Sequence, residues 1–269
     1  MNSEITQQRF SSFVGFKTLF EKECKRFLKV VGQTIISPLI SASLYLLIFG
    51  VNLADRISAQ NGVNYLQFII PGLMAMGILN NAFQNTTSSV ISSKFHGDLQ
   101  DLKVVPLSSN QILWAYALAA TARGLIVGTA IFIVGELFYL SQYGVLMPIH
   151  NIFLLIVFTF FSGILFSFMG LGVAIYSNNF EQVTVIGTFV LLPLIYLGGV
   201  FFSIENMHPI WKIVSHLNPL FYLINGIRYS VIGVGDIQPG VSMVATVICV
   251  TIMYLIANIA VKKGSYLRF

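Results

Sequence analysis

The sequence predicts an all-α polytopic membrane protein with six transmembrane helices. Hydrophobic residues make up 56% of its 269 residues, whereas charged residues make up only 9%, against roughly 25% in a soluble domain. Six apolar segments each reach about the 20 residues that a helix needs to cross a bilayer. Because these segments leave no room for a sizeable soluble domain, residues 1–269 are expected to form a single transmembrane domain.

The N-terminal segment, residues 10–29, is predicted to form an amphipathic interface helix. One side of this helix is aromatic and includes a cysteine: Phe13, Phe16, Phe20, Cys24 and Phe27. The opposite side is polar and cationic: Thr18, Lys22, Lys25, Arg26 and Lys29. The aromatic side suits the acyl boundary, and the cationic side suits the anionic headgroups of membrane lipids. A cytosolic helix packed on a soluble surface is the alternative.

The six spans are predicted at Thr34–Leu53, Leu66–Ile91, Ile112–Leu140, Ile152–Tyr176, Val183–Phe202 and Val241–Val261. An even number of spans places both termini on the same side of the membrane. The loops and termini on that side contain eleven Lys and Arg residues, whereas the opposite side contains Arg56, Lys212 and Arg228. The positive-inside rule therefore predicts that both termini are cytoplasmic.

A polar segment, Ser92 to Gln111, separates the second and third spans on the predicted cytoplasmic side. Helical spacing gives it an apolar face of Phe95, Leu99 and Leu102 and a charged face of Lys94, Asp98 and Asp101. This pattern is typical of a short amphipathic helix over residues 92–105. Pro106 ends the helix because the residue before a proline is disfavoured in the helical region. A solvated loop is the alternative.

Residues 203–240, between the fifth and sixth spans, are too polar for a span and too apolar for a solvated loop. Their apolar parts, Ile210–Leu217 and Leu220–Ile232, are each shorter than a span, and Asn218 and Pro219 separate them. Short helices of this kind are typical of re-entrant segments, whose backbone must be buried in protein or face water. We therefore predict that the segment dips into the membrane from the outer side.

Two ionisable residues fall inside the third span. Arg123 lies about 16 Å into it, at a rise of about 1.5 Å per residue, and a central arginine costs at least about 2.5 kcal/mol. It is therefore expected to bond carbonyls or polar side chains of a neighbouring span, with direct substrate contact as the alternative. Glu136 lies about 20 Å further along the helix, too far to pair with Arg123, and is expected to be solvated near the outer end.

The sequence contains no recognisable catalytic constellation. The four histidines, His96, His150, His208 and His216, are scattered and do not form a metal-binding pair at helical spacing. The two cysteines are too few and too differently placed for a disulfide framework, and no basic groove predicts nucleic-acid binding. No phosphate-binding loop is present, so an ATP-driven activity would need another polypeptide.

The segment LLPLIYLGGVFFSIENMHPIWKIVSHLNPLFYLINGIR, residues 191–228, resembles the signature region of ABC-2 type transporter permeases. The residues that support this resemblance are Gly198, Gly199, Asn218, Pro219, Tyr222 and Arg228. The N-terminal amphipathic helix, Phe68 to Leu73 and Ala122 to Leu125 resemble the YadH-like subgroup, which is related to drug and nodulation-factor exporters. Ser203 and His208 depart from the pattern, at places where proline or a small residue is expected.

The resemblance implies an exporter built as a homodimer in a bacterial inner membrane and bound by two copies of a cytoplasmic ATPase. That ATPase would bind ATP and Mg, and this chain would bind no cofactor. The expected cargo is a lipid, a lipid-linked glycan or an amphiphilic drug. Residues 92–105 correspond by resemblance to the coupling helix, whose contacts with the ATPase are expected from Lys94, Phe95, His96, Asp98, Leu99, Asp101 and Leu102. Residues 10–29 correspond to the interface helix.

Two other functions remain open at this point. A secondary transporter or channel would use intramembrane acidic residues or histidines to move ions, and Glu136 is the only acidic residue within the predicted spans. A membrane-embedded transferase would need a polar catalytic cluster near one interface, for which His208, His216 and Asp236 are the candidates. A bound ATPase would distinguish the permease from both.

Overall fold

The computed structural model describes residues 12–52, 63–97 and 107–263, and all regular secondary structure in these ranges is helical. The helices are α1 (Ser12–Leu28), α2 (Val31–Tyr45, continued as a π-helix over Leu46–Asn52), α3 (Tyr65–His96), α4 (Ser109–Tyr143), α5 (Ile152–Tyr176), α6 (Phe180–Leu197, with a π-helical turn at Gly187–Leu191), α7 (Pro209–Leu217), α8 (Pro219–Ile232) and α9 (Pro239–Lys263). A short 3-10 helix, Ile204–Asn206, precedes α7.

Six helices in the described ranges are long and apolar enough to cross a membrane, namely α2, α3, α4, α5, α6 and α9. The prediction of an all-α protein with six spans is therefore confirmed. The fifth span runs from Phe180 to Leu197 and ends before the predicted Phe202. It ends there because Gly199 adopts a φ of 87°, a left-handed conformation that turns the chain out of the helix.

Helix α3 is the centre of the bundle and packs against both α4 and α5. It is the most buried of the six spans, since 78% of its most apolar 18-residue stretch is buried. Small residues on its neighbours allow this close approach, since a Cβ at Gly124 or Gly170 would lie 2.9 Å from the α3 carbonyls of Ile78 or Phe83. A displacement of α3 would therefore act directly on α4 and α5.

The two short helices α7 and α8 meet at Asn218, whose side chain accepts a hydrogen bond from the Leu220 N–H. The same amide donates to the Leu194 carbonyl of α6 at 2.6 Å. Helix α8 is largely buried against α3, α5 and α9. Asn218 thus fastens the turn between α7 and α8 to the end of the fifth span.

The buried face of helix α1 is not the one that the amphipathic pattern predicted. Its buried residues are Leu19, Glu23 and Phe27, whereas Phe13 is 68% exposed. Residues 19, 23 and 27 follow at i, i+4 and i+8, so they form one stripe, and α1 packs against α4. Arg26, which was expected on the exposed cationic side, is half-buried beside Glu23. The placement of Arg26 was therefore wrong.

Candidate functional site

The end of α3 is tied to the end of α5 by a lysine. The Nζ atom of Lys94 donates to the Ile175 carbonyl at 2.6 Å and to the Ser177 carbonyl at 2.8 Å. Carbonyls at a helix C-terminus lack helical partners, and a cation there also complements the helix dipole. Lys94, which was predicted to contact an ATPase, therefore binds the end of a neighbouring span.

Phe95, one residue further on, remains 62% exposed. Its ring stacks on Phe180 at the start of α6, with a centroid separation of 5.6 Å and an interplanar angle of 2°. Phe180 is also exposed. His96 donates its Nδ1 hydrogen to the Ser92 carbonyl at 2.8 Å and is exposed as well. Together Phe95 and Phe180 form an exposed aromatic pair, which we call the aromatic step.

Helix α3 continues through residues 92–96 and ends at Gly97, where φ is 80°. The predicted helix over residues 92–105 therefore begins as an extension of the second span, because no residue between Ile91 and His96 interrupts the helix. Its other predicted contact residues, Asp98, Leu99, Asp101 and Leu102, lie outside the described residues.

A buried polar cluster joins α1 to α3. Glu23, which is 1% exposed, accepts hydrogen bonds from Arg26 Nε at 3.0 Å and from Ser89 Oγ at 2.6 Å. Arg26 Nη2 donates to both the carbonyl and the side-chain oxygen of Asn85, each at 2.9 Å. Sequence analysis missed Glu23, Ser89 and Asn85 because the bonded residues are far apart in the chain: Arg26 and Asn85 are separated by 59 residues, and Glu23 and Ser89 by 66.

Arg123 of α4 also donates to Asn85. Arg123 Nη1 lies 3.3 Å from Asn85 Oδ1, and Arg123 Nη2 lies 3.4 Å from Asn81 Oδ1. Both distances exceed the usual 2.9 Å or so. Arg123 Nε is buried and has no hydrogen-bond partner among the described residues. The expected contact with polar side chains of a neighbouring span is therefore present, but it leaves the guanidinium incompletely satisfied.

A cavity of about 660 Å³ lies beside these arginines. Helices α1 to α4 and α6 surround it, and its polar lining includes Arg26, Arg123, Asn81, Gln84, Ser88 and Ser37. Apolar side chains line the rest, including Leu73, Met76, Ile131 and Leu192. A cavity with both polar and apolar walls can hold an amphiphilic molecule.

The residues that support the resemblance lie together, at the end of the bundle where α6 ends and α7 and α8 follow. Arg228 is almost fully buried in α8, donates to the Gly199 carbonyl and lies 3.8 Å from the centre of the Phe68 ring. Cation–π contact of this kind is strongest where water is excluded. Glycine suits position 199 because φ is 87° there and a Cβ would lie 3.2 Å from the Phe202 carbonyl oxygen. Tyr222 donates to the His216 carbonyl at 2.9 Å.

The model of the ABC-2 type transporter family matches residues 14–232, which include the five spans α2 to α6 and the short helices α7 and α8. The chain belongs to the ABC-2 type transporter family. The inner membrane transport permease YadH of Escherichia coli strain K12 is 34% identical over 256 residues, which are 95% of this chain and 98% of YadH. Nodulation protein J of Neorhizobium galegae is 20% identical over 234 residues, 87% of each chain. The putative transport permease ycf38 of Cyanophora paradoxa is 29% identical, over 84% of this chain and 79% of its own.

Within this ABC-2 chain, Asp236 has a structural role. Its carboxylate accepts hydrogen bonds from the Ser203 hydroxyl and from the Ile204 N–H, and its own N–H donates to Asn225 Oδ1 at 2.7 Å. Asp236 therefore holds the segment after the fifth span against α8. Ser203, one departure from the family pattern, supplies one of these bonds. The ring of His216 packs edge-on against Phe221. Among the described residues, no group of three metal-binding side chains exists.

Two further charged residues have partners or surroundings that the sequence did not specify. Glu136 Oε2 accepts a hydrogen bond from the Met147 N–H at 3.1 Å, so it fixes the loop after α4 instead of being simply solvated. Arg228, which was counted among the cations of the opposite side, is buried inside the bundle.

Proposed function

We propose that this ABC-2 permease exports an amphiphilic substrate across the inner membrane, powered by two copies of a separate cytoplasmic ATPase that bind ATP and Mg. The observation that supports it best is the aromatic step. An exposed Phe95 at the end of the most buried span offers an apolar contact for a partner, and the span behind it can transmit a displacement. The name of YadH, an inner membrane transport permease, supports the location and the role.

The connections of the aromatic step support a coupling role. Phe95 stacks on Phe180 of α6, and Lys94 binds the carbonyls at the end of α5. A force applied to the end of α3 would therefore reach α5 and α6 together. A rigid linkage of this kind is what an ATP-driven conformational change requires. Residues 98–105 would complete the ATPase contact.

A homodimer is supported by the uncovered surfaces of α2 and α6. Within one chain, only 22% of the most apolar 18-residue stretch of α2 is buried, and only 11% of that of α6. Their exposed side chains include Ile36 and Ile40 on α2 and Phe189 and Val190 on α6, which a second copy of the chain would cover.

Helix α1 is proposed as an interface helix in contact with lipid headgroups, with both termini in the cytoplasm. Phe13 and Lys25 remain exposed, while Phe27 anchors the helix to the bundle. Cysteine labelling tests the topology: an impermeant thiol reagent is expected to reach a cysteine at position 206 from outside and one at position 98 only after permeabilisation. Labelling of both from the same side contradicts the six-span topology.

The coupling proposal is tested with Phe95→Ala and Leu99→Asp. Loss of a desolvated apolar anchor commonly costs at least about 2 kcal/mol, which is roughly thirtyfold in binding. Both variants should insert and fold but should release the ATPase or uncouple its turnover from transport. The measurements are co-purification of the ATPase and ATP-dependent transport after reconstitution.

Two controls separate coupling from general damage. Ser109→Ala changes a residue at the start of α4, and Phe153→Ala removes an equally exposed phenylalanine at the start of α5, beyond the other end of α4. Both controls should retain assembly and transport. Normal assembly and normal transport in Phe95→Ala and Leu99→Asp would show that residues 92–105 are an ordinary solvated segment.

A further inference from the structure

The cavity beside α1 and α4 contains more positive charge than its own lining neutralises. Arg26 and Arg123 both line it, and no aspartate or glutamate does so among the described residues. Glu23, which does not line the cavity, pairs with Arg26, with its Oε2 atom 3.0 Å from Arg26 Nε. Among the residues that the structure describes, Arg123 has only the neutral amides of Asn81 and Asn85 as acceptors. The cluster therefore has a net charge of about +1 within the membrane-spanning bundle.

The two guanidinium groups also converge on a single atom. Asn85 Oδ1 accepts from Arg26 Nη2 at 2.9 Å and from Arg123 Nη1 at 3.3 Å. Two cations that share one neutral acceptor repel each other, and an unpaired charge away from water is costly. An anion between them would remove both penalties. Arginine is also the residue that binds phosphate and carboxylate groups best, because its planar fork matches their oxygen atoms.

The charged side chains of the cavity lie toward one end, and the lining at the other end is uncharged. Arg26, Ser88 and Gln84 lie toward the end of α3 that carries the aromatic step. Leu73 lies twelve residues before Asn85 on the same helix, which is about 18 Å at 1.5 Å per residue. Met76, Ile131 and Leu192 line the cavity at this uncharged end. Its length and polarity therefore match a molecule with a charged head and a hydrocarbon tail.

We propose that this cavity binds an anionic amphiphile, with its phosphate or carboxylate headgroup between Arg26 and Arg123 and its acyl chain along Leu73 and Ile131. This inference names the substrate class of the proposed permease and so rests on that proposal. The volume of about 660 Å³ falls within the range of ligand-binding pockets, roughly 300–1,000 Å³. The exposed hydroxyl residues Ser37 and Thr188 line the opening between α2 and α6.

The test is direct binding to the purified full-length permease in a neutral detergent, without the ATPase. Lysophosphatidate and the uncharged monoacylglycerol with the same acyl chain serve as probes, and native mass spectrometry measures the bound fraction of each. The wild-type protein should prefer the anionic probe by at least about tenfold, because charge-assisted hydrogen bonds are worth that factor or more. Equal binding of the two probes overturns the proposal.

Variants locate the binding. Arg123→Gln should reduce the preference by about tenfold, whereas Arg123→Lys should retain part of it because the charge remains. Lys25→Gln is the matched control, since Lys25 neighbours Arg26 but points to solvent and its side chain is 75% exposed. An unchanged preference in a folded Arg123→Gln protein, or an equal loss in Lys25→Gln, overturns the assignment.

Two additions keep the test decisive. Should Arg123→Gln fail to fold, Ser37→Trp fills the opening without a change in charge, and it should reduce binding of lysophosphatidate; retained binding contradicts the site. Inorganic phosphate is the second probe: binding as tight as that of lysophosphatidate would indicate a site for soluble anions and overturn the amphiphile assignment.

The outcome is separable from that of the coupling proposal. Loss of selectivity in Arg123→Gln together with normal ATPase assembly and normal transport in Phe95→Ala would support the headgroup site and reject the aromatic step. Release of the ATPase by Phe95→Ala without any selectivity in the wild-type protein would support coupling and reject the headgroup site.

Discussion

Because Glu23 is buried in an ion pair with Arg26, its removal should lower the unfolding free energy much more than removal of Glu21, a nearby glutamate on α1. Glu23 is 1% exposed and accepts from Arg26 Nε at 3.0 Å and from Ser89 Oγ at 2.6 Å. Glu21 is 47% exposed and lies 3.7 Å from Lys17 and 3.9 Å from Lys25. The two residues share a helix and a side-chain type, so Glu21→Ala is a matched control for Glu23→Ala.

The expected magnitudes follow from these environments. Removal of one partner of a buried ion pair costs about 3–5 kcal/mol, because it leaves the other charge uncompensated. The Arg26 side chain retains 31% exposure, so we expect Glu23→Ala to lie at the lower end, about 3 kcal/mol. Glu21→Ala should cost no more than about 0.5 kcal/mol, the usual value for an exposed helical pair.

Unfolding in mixed micelles with increasing SDS measures both free energies. Glu23→Gln keeps an acceptor but loses the charge, so it should still be destabilised. A double variant, Glu23→Leu with Arg26→Met, removes both charges and should be more stable than Glu23→Ala. Equal stability of the Glu21→Ala and Glu23→Ala proteins would refute the conclusion that Glu23 balances a charge inside the bundle.

Two further predictions concern packing and thiol reactivity. Gly72→Ala should lower the unfolding free energy by about 1–3 kcal/mol, because the new Cβ would lie 2.5 Å from the Val200 carbonyl oxygen. Gly32→Ala is the control and should cost nothing, because no atom would lie nearer than 4.0 Å to its Cβ. The same SDS titration distinguishes them, and equal losses would contradict the close contact. Burial, and then the Glu23 carboxylate, raise the pKa of the Cys24 thiol. In a Cys249→Ser protein, the alkylation rate of Cys24 at about pH 8 should therefore be lower than that of a free thiol of pKa about 8.5. The rate should continue to rise above that pH. A rate that levels off below about pH 9 would contradict this shift.

The sequence was sufficient for the class of the protein and the number of its spans. Apolar length is a local property, so six runs of about 20 residues predict six helices without any knowledge of their neighbours. The family was also readable, because the turn at Gly198 and Gly199 and the pair Asn218 and Pro219 stand close together in the chain. Their roles became visible only in three dimensions, where Asn218 donates to the Leu194 carbonyl and the Gly199 carbonyl accepts a hydrogen bond from Arg228.

The direction of each polar side chain depended on tertiary structure. Hydrophobic spacing places Arg26 on the outward side of α1, yet Glu23 and Asn85 draw it inward. Lys94 looks like one more surface cation, yet the free carbonyls at the end of α5 bind it. Within a single helix, spacing alone does not reveal which polar residue will meet a partner from another helix.

The sequence by itself therefore determined that this chain is a six-span ABC-2 protein with polar residues in the membrane that require partners. Only the tertiary structure decided which partners they have: Arg123 and Arg26 both bond Asn85, and the two arginines line a cavity that is charged at one end and uncharged at the other. The physical reason is that a transmembrane helix forms from its own backbone hydrogen bonds and local apolarity, whereas a binding cavity forms from side chains of helices far apart in sequence.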